Sequence, residues 1–274
     1  MQTTLHSFFS NVQHPVDSKK VNILSKIDIT KGIPHINSSF PKTLLFKHDA
    51  LCSIYFPSID SHGLYITEYV PSGTLLLLEK GIIGNMPHIA NCLKANGEIA
   101  KELYPRKLTD YSSYDDLYEE KVKHNCFQWY EKEDPEHFKN YSALFPVISR
   151  CNHSCEPNAC IIRYVEDIHA DDYHYNGGFC LYTTKDLYPG DELSLMYCWE
   201  AGHGHPMFDW KCDCNTEQEE RRKLFSRNCR FVEKCYEHDK EYILYEILGI
   251  NQLPYENENN FGARFDDYYE GIGF

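Results

Sequence analysis

The strongest constraint on the fold is a run of short strand-like segments separated by tight turns. Cys52 to Phe56 reads as a strand, Ser61-His62-Gly63 as a turn, and Leu64 to Tyr69 as a second strand. Pro71-Ser72-Gly73 reads as another turn, and Thr74 to Glu79 as a third strand. Strands return at Cys160 to Val165, Gly178 to Thr184 and Glu192 to Met196, with Ile168 to Gly178 as a polar hairpin loop. Short strands joined by tight turns point to a small β-rich domain.

Between these runs the periodicity changes. Asn91 to Leu103 has helical spacing, with Ile89, Leu93, Ile99 and Leu103 on its apolar face. Tyr114 to Trp129 is helical in the same way, so residues 85–142 read as a mostly helical insert. Thr216 to Phe225 reads as a charged helix, with Glu217, Glu219 and Glu220 near its start and Arg221, Arg222 and Lys223 later, as the helix dipole prefers. Glu233 to Leu248 reads as a further helix. The expected division is an arm over 1–45 with Pro15, Pro34 and Pro41, a β-rich domain over 46–200, and a C-terminal region over 201–274.

The 274 residues suffice for one compact domain with extensions or for two small ones, and 42% of them are hydrophobic. The net charge is −14, from 27 basic against 41 acidic side chains. That sign argues against nonspecific binding to nucleic acid or an anionic membrane, both of which reward a basic patch. It suits a basic partner such as a lysine-rich protein tail, and equally a plain solubility charge. The chain does not begin with a charged start followed by an apolar stretch, and no apolar run is long enough to span a bilayer. An intracellular location, nuclear or cytoplasmic, is expected. The twelve cysteines, including Cys212-x-Cys214, are then thiols or metal ligands rather than disulfides.

The most informative stretch is Leu144-Phe145-Pro146-Val147-Ile148-Ser149-Arg150-Cys151-Asn152-His153-Ser154-Cys155-Glu156-Pro157-Asn158. It is an apolar approach to a polar, cysteine-bearing turn whose Asn and His can bond a ligand or cap local backbone. The stretch resembles the NHSCxPN motif of SET domains, preceded by the LFP…S lead-in of the SMYD branch and its fungal relatives. Two further segments resemble the family in its order. Ser61-His62-Gly63-Leu64 stands at the Gly-x-Gly turn, followed by Val70-Pro71-Ser72-Gly73-Thr74, and Gly190-Asp191-Glu192-Leu193-Ser194-Leu195-Met196-Tyr197 stands at the strand that ends in the catalytic tyrosine. The resemblance covers roughly residues 50–215. It implies a β-rich α+β SET fold with a knot-like threaded segment, and a protein-lysine N-methyltransferase that uses S-adenosylmethionine.

The resemblance also implies roles for individual residues. Asn152 and His153 would hold the adenine end of the cofactor, and His62, Gly63 and Leu64 its methionine part, although Ser61 replaces the first glycine of that turn. Tyr197 would be the catalytic residue, touching the cofactor as well. Methyl transfer needs a neutral amine in line with the sulfonium methyl, and lysine is ordinarily protonated, with a pKa of about 10.4. A narrow apolar channel disfavours the ammonium and excludes water. Phe127, in an N-x-F segment, and Phe208, where the branch often has tyrosine, match the walls of that channel together with Tyr197. Trp210 stacks beside the cofactor or packs in the core.

A zinc site of the SMYD branch is matched by Cys155, Cys212 and Cys214, but Glu217 stands where the next cysteine is expected. Glu217, Cys229, Cys235 or a histidine could complete the set, and zinc binding stays open. The MYND finger of the branch has no counterpart, because the insert lacks paired cysteines. At the N-terminus Gln2, Leu5, Phe8 and Phe9 resemble the PIP box that docks on the sliding clamp PCNA, one 3₁₀ turn bringing Leu5 beside Phe8. The alternative is an arm whose phenylalanines pack back on the domain. The expected protein is a monomer acting on a histone or another basic protein. Its rivals are a catalytically silent SET-fold binding module and a methyltransferase of a non-histone cytoplasmic protein.

Overall fold

The computed structural model describes residues 35–37, 41–56, 61–103, 114–129, 141–164, 177–197 and 216–249. Among the described residues, four small sheets carry the fold. Strands β1 (His35–Asn37), β3 (Leu51–Phe56) and β4 (Ser61–Ile66) form the first, in the order β1-β3-β4. Strands β2 (Leu44–Lys47), β5 (Leu75–Lys80), β10 (Ala159–Tyr164) and β11 (Gly178–Thr183) form the second, in the order β10-β11-β5-β2. The third joins β6 (Ile82–Gly84), β8 (Tyr141–Leu144) and β7 (Cys126–Trp129). The fourth is a two-residue parallel pair, β9 (Asn152–His153) with β12 (Ser194–Leu195).

The second sheet is buried on both faces. Strand β5 is the run Leu75-Leu76-Leu77-Leu78, with Leu76 and Leu77 in one core and Leu75 and Leu78 in another. The period of two sends successive leucines to opposite faces, so an unbroken apolar run is what a doubly covered strand requires. The first core lies against the sheet of β3 and β4, with Leu64, Ile66, Phe145, Ile148 and Leu193. The second lies under α4 (Gln218–Tyr242), whose Cys229, Val232 and Tyr236 cover Cys160, Cys180 and Tyr182. A third cluster sits in the insert, where Ile89, Leu93, Ile99 and Leu103 are all buried, as their helical spacing predicts.

Several elements differ from the sequence reading. Ser61-His62-Gly63 is not a turn but the start of β4, because Ser61, His62 and Gly63 pair antiparallel with Phe56, Tyr55 and Ile54. The helix over 91–103 is two helices, α1 (Met86–Ala95) and α2 (Gly97–Glu102), broken at Asn96. Asn96 ends α1 through its backbone N–H and caps α2 through its side chain. The helix over 114–129 stops at Asn125, closing α3 (Tyr114–Asn125), and the last four residues form β7 against β8. There strand pairing overrides the helical pattern. The two C-terminal helices are one, because Phe225, Cys229, Val232 and Tyr236 keep the apolar period through the gap, and a π-helical turn at Ile243–Ile247 ends it. The strand over 192–196 is reduced to Ser194–Leu195. Within the expected arm, β1 pairs with β3 and Leu44 begins β2.

Candidate active site

The three motifs meet at the β9–β12 pair. Asn152 stands opposite Ser194 and His153 opposite Leu195, and Ser154 donates its N–H to the Leu195 carbonyl at 2.9 Å. Asn158 closes the segment from the other side. Its Nδ2 donates to the Glu192 carbonyl and its Oδ1 accepts from the Ser194 N–H, both at 2.8 Å. Strand β4 joins through the Asn152 amide, whose Nδ2 donates to the His62 carbonyl at 3.1 Å and to Glu192 Oε1 at 2.5 Å.

Tyr197 lies directly over this junction. Its hydroxyl donates to the Cys151 carbonyl at 2.6 Å, and its backbone N–H donates to His153 Nδ1 at 3.2 Å. Tyr197 is 37% exposed as a whole residue, while its hydroxyl is bonded inward to the Cys151 carbonyl. Burial, and then the neighbouring Cys151 and Glu192, push the phenol well above its ordinary pKa, so it stays a protonated donor. His153 is held neutral, its pKa lowered to about 4 by burial and by the Arg221 guanidinium. Because Nδ1 accepts from Tyr197, the ring proton sits on Nε2, 3.2 Å from Cys155 Sγ.

The residues expected to meet the methionine part of a cofactor divide. The His62 ring stacks on Tyr55 at 4.8 Å while its carbonyl holds Asn152. Leu64 is buried in the first core and its carbonyl accepts from the Leu193 N–H at 2.7 Å. Gly63 is needed for close approach rather than for a positive φ. A Cβ there would lie 2.6 Å from the Tyr65 ring and 3.0 Å from Glu192 Oε1. Phe127 is half-buried and packs edge-on against Phe145 and Phe179 at 5.7 and 5.5 Å, in an aromatic trio beside the first core.

Cys155 accepts from two donors, His153 Nε2 and, at 3.7 Å, Nη1 of the buried Arg221 on α4. Among the described residues no group of three or more histidine, cysteine or acidic side chains is placed to hold a metal ion. Cys229 lies eight residues beyond Arg221, about 12 Å along the helix, and its sulfur faces Cys160 at 3.9 Å. Cys235 lies further on, against Gly73. Neither can complete a ligand set with Cys155. Glu217 is the N-cap residue of α4. Cys212 and Cys214 lie outside the described residues, as do Phe208, Trp210 and the N-terminal Gln2, Leu5, Phe8 and Phe9.

Sequence reasoning missed four residues that build this site. Cys151 supplies the carbonyl that receives the Tyr197 hydroxyl, and Glu192 fixes the Asn152 amide. Arg221 ties α4 to Cys155. Glu79, fully buried, accepts from the Val147 and Ile148 N–H groups at the head of the 3₁₀ turn Ile148–Arg150. Its signal was visible: a lone acid ending an apolar run.

Comparison with known proteins finds SET-domain relatives. A putative SET domain-containing protein, L222 of Acanthamoeba polyphaga mimivirus, is 24% identical over 189 residues, covering 66% of this chain and 54% of the relative. The chain thus spans about half the length of that relative. A solved structure described as "Structural basis for the product specificity of histone lysine methyltransferases" aligns at 21% identity over 57% of this chain and 49% of its own, with a TM-score of 0.29. The SET domain model matches residues 61–198, from the first residue of β4 to just past Tyr197. That match takes in half of the chain and all three motifs that meet at the β9–β12 pair, and the chain belongs to the SET-domain family.

Proposed function

We propose that this chain is an S-adenosylmethionine-dependent protein-lysine N-methyltransferase with Tyr197 as its catalytic residue. The observation that carries the reading is the Tyr197 hydroxyl, 2.6 Å from the Cys151 carbonyl, at the point where Asn152, Glu192 and β4 converge. The residues suit the cofactor. Gly63 lets the Tyr65 ring and Glu192 Oε1 close on its backbone, and the Glu192 carboxylate there suits a group bearing a sulfonium and an ammonium. When bound, the cofactor supplies an electrophilic methyl carbon.

The chain's own residues do the rest. Asn152, bonded to His62 and Glu192, ties β9 to β4 and to the segment leading into β12. Tyr197, kept protonated by its buried hydroxyl end, orients polar groups at its edge without taking their protons. Apolar and aromatic walls favour the neutral amine of an incoming lysine and exclude water. Phe127 and Phe208 belong to those walls in this reading, and Trp210 to the cofactor side. With phenylalanine rather than tyrosine at 208, the amine has room to turn, and more than one methyl group per lysine is accepted.

The charge of −14 favours a basic protein substrate, with histones first among those to try. Gln2, Leu5, Phe8 and Phe9 would bring the enzyme to PCNA, and so to nuclear replication or repair sites. Radiolabelled methyl transfer to histones and to whole-lysate protein tests the reading. Wild-type protein should label a basic protein and Tyr197→Phe should not. Equal labelling by both, or none by either, would overturn it, the second result leaving the binding-module reading. Mass spectrometry of the product counts the methyl groups. Calorimetry of the full chain against PCNA, with Phe8→Ala/Phe9→Ala as control, tests the clamp contact.

A further inference from the structure

Glu79 lies outside every motif that carries the family resemblance, yet it is connected to the Tyr197 hydroxyl by an unbroken path. It sits on β5, 0% exposed. Its carboxylate receives three donors. Thr43 Oγ1 donates to Oε1 at 3.0 Å, the Val147 N–H is shared between both oxygens at 3.0 Å, and the Ile148 N–H donates to Oε2 at 2.9 Å. Val147 and Ile148 open the 3₁₀ turn Ile148–Arg150, and Val147 makes no side-chain cap of its own. Glu79 therefore supplies from a distant strand the acceptor that the head of this turn requires.

The other end of the turn is the active-site carbonyl. The Cys151 N–H donates to the Ile148 carbonyl at 2.9 Å, and the Cys151 carbonyl receives the Tyr197 hydroxyl. Ile148, which contacts Glu79, and Cys151, which contacts Tyr197, are therefore three positions apart. The turn is also held from the side, because Arg150 donates to the Pro146 carbonyl at 3.2 Å and to Ser53 Oγ on β3 at 3.0 Å.

We propose that Glu79 is a positioning residue for Tyr197: its ionised carboxylate anchors the 3₁₀ turn that aims the Cys151 carbonyl at the catalytic hydroxyl. This rests on the reading of Tyr197 given above. A neutral side chain holds the turn less tightly. A protonated carboxyl, or the amide of glutamine, can turn its own donor to the Thr43 hydroxyl and keep one oxygen for the Val147 and Ile148 N–H groups, but that oxygen is a neutral and weaker acceptor than the carboxylate. Burial pushes the Glu79 carboxyl up to about 7, against the pull of the Ile148 and Val147 N–H groups, the Thr43 hydroxyl and the Arg150 charge. The groups facing it are Thr43 before β2, Arg150 on the turn and the buried Cys151 thiol. The residues paired with it, Leu44 on β2 and Phe179 on β11, are apolar.

The test uses the full-length chain labelled with ¹⁵N and with ¹³Cζ-tyrosine, the Tyr197 resonance being assigned by its loss in Tyr197→Phe. Between about pH 5.5 and about pH 8.5, the Val147 and Ile148 amide shifts and the Tyr197 ¹³Cζ shift should titrate together. In Glu79→Gln the shared titration should vanish. In Thr43→Val, which removes one donor to the carboxylate, it should move to higher pH. In methyl-transfer assays Glu79→Gln should lose about tenfold in kcat with cofactor affinity unchanged, as expected when the reacting groups are present but misaligned. If Glu79→Gln proves unfolded by circular dichroism, the Thr43→Val shift decides. The proposal is overturned if Tyr197 ¹³Cζ stays flat while the two amides titrate, or if folded Glu79→Gln keeps wild-type kcat. Absence of any methyl transfer by wild type would refute the enzymatic reading alone, since the coupled titration is read without turnover.

Discussion

Asn152 and His62, 90 positions apart in the chain, are joined by one hydrogen bond from the Asn152 side-chain amide to the His62 carbonyl. The same Nδ2 donates to Glu192, so a single amide holds together all three stretches that carry the family resemblance. Asn152→Ala should therefore do more than delete one contact. It leaves the His62 carbonyl and the Glu192 carboxylate without this donor in a part-buried site, a loss worth about 1 to 3 kcal/mol. Thermal unfolding should register that loss, and calorimetry should find the affinity for the methyl donor reduced at least about tenfold. Wild-type affinity in Asn152→Ala would show that the amide does not organise the cofactor side.

Gly63 gives a second, independent handle on the same place. An alanine Cβ would press on the Tyr65 ring at 2.6 Å and on Glu192 Oε1 at 3.0 Å. Tyr65 is buried and bridges to Glu192, so it has little freedom to retreat. Gly63→Ala should cost about 1 to 3 kcal/mol of stability by overpacking, and should weaken donor binding by displacing Glu192 from Asn152. A variant with unchanged melting temperature and donor affinity would show that this close contact is slack.

How much of this could be read from the chain follows physical lines. Strands β3, β5, β10 and β11 were legible because short apolar runs bounded by turn residues are local signals, and the NHSCxPN stretch is a contiguous motif. Strand β7 was not, because Cys126–Trp129 continues a helical pattern and becomes a strand only by pairing with β8. The continuity of α4 was hidden by the polar residues around Asn228, whose burial depends on the sheet beneath. Ser61-His62-Gly63 looked like a turn because glycine usually marks one, whereas here glycine answers a steric demand from residues 65 and 192. Glu79 and Arg221 act through contacts 68 and 66 positions away. No local pattern encodes such pairs.

Cys160 and Cys229 offer a test of the C-terminal helix. Their sulfurs stand 3.9 Å apart between β10 and α4, both buried. Treatment with diamide should slowly convert the two thiols to one disulfide, the oxidant taking up both hydrogens, with burial limiting the rate. The bond would close a loop of nearly seventy residues and raise stability by up to about 4 kcal/mol. Peptide mapping without reductant should find the Cys160–Cys229 link, and Cys160→Ala should abolish both it and the gain in melting temperature. A link from Cys160 to any other cysteine would displace α4 from its described seat.

Glu79 makes a prediction about stability that opposes its role in positioning. Its carboxyl is pushed up from 4.5 to about 7, chiefly by burial. Below about pH 4.5 the folded and unfolded chains are both protonated there, and its contribution to stability is fully present. As pH rises, the unfolded chain ionises first while the fold still holds the proton, so that contribution falls, and above about 7 the loss is complete. Wild-type protein should therefore lose melting temperature between about pH 4.5 and about pH 8 relative to Glu79→Gln, whose amide does not titrate. The same rise in pH should increase the wild-type advantage in kcat, because the charged carboxylate is the stronger acceptor for the Val147 and Ile148 N–H groups. Parallel melting curves for the two proteins across that range would mean that Glu79 is already ionised at the acid end. Stability and alignment would then not trade against each other through this residue.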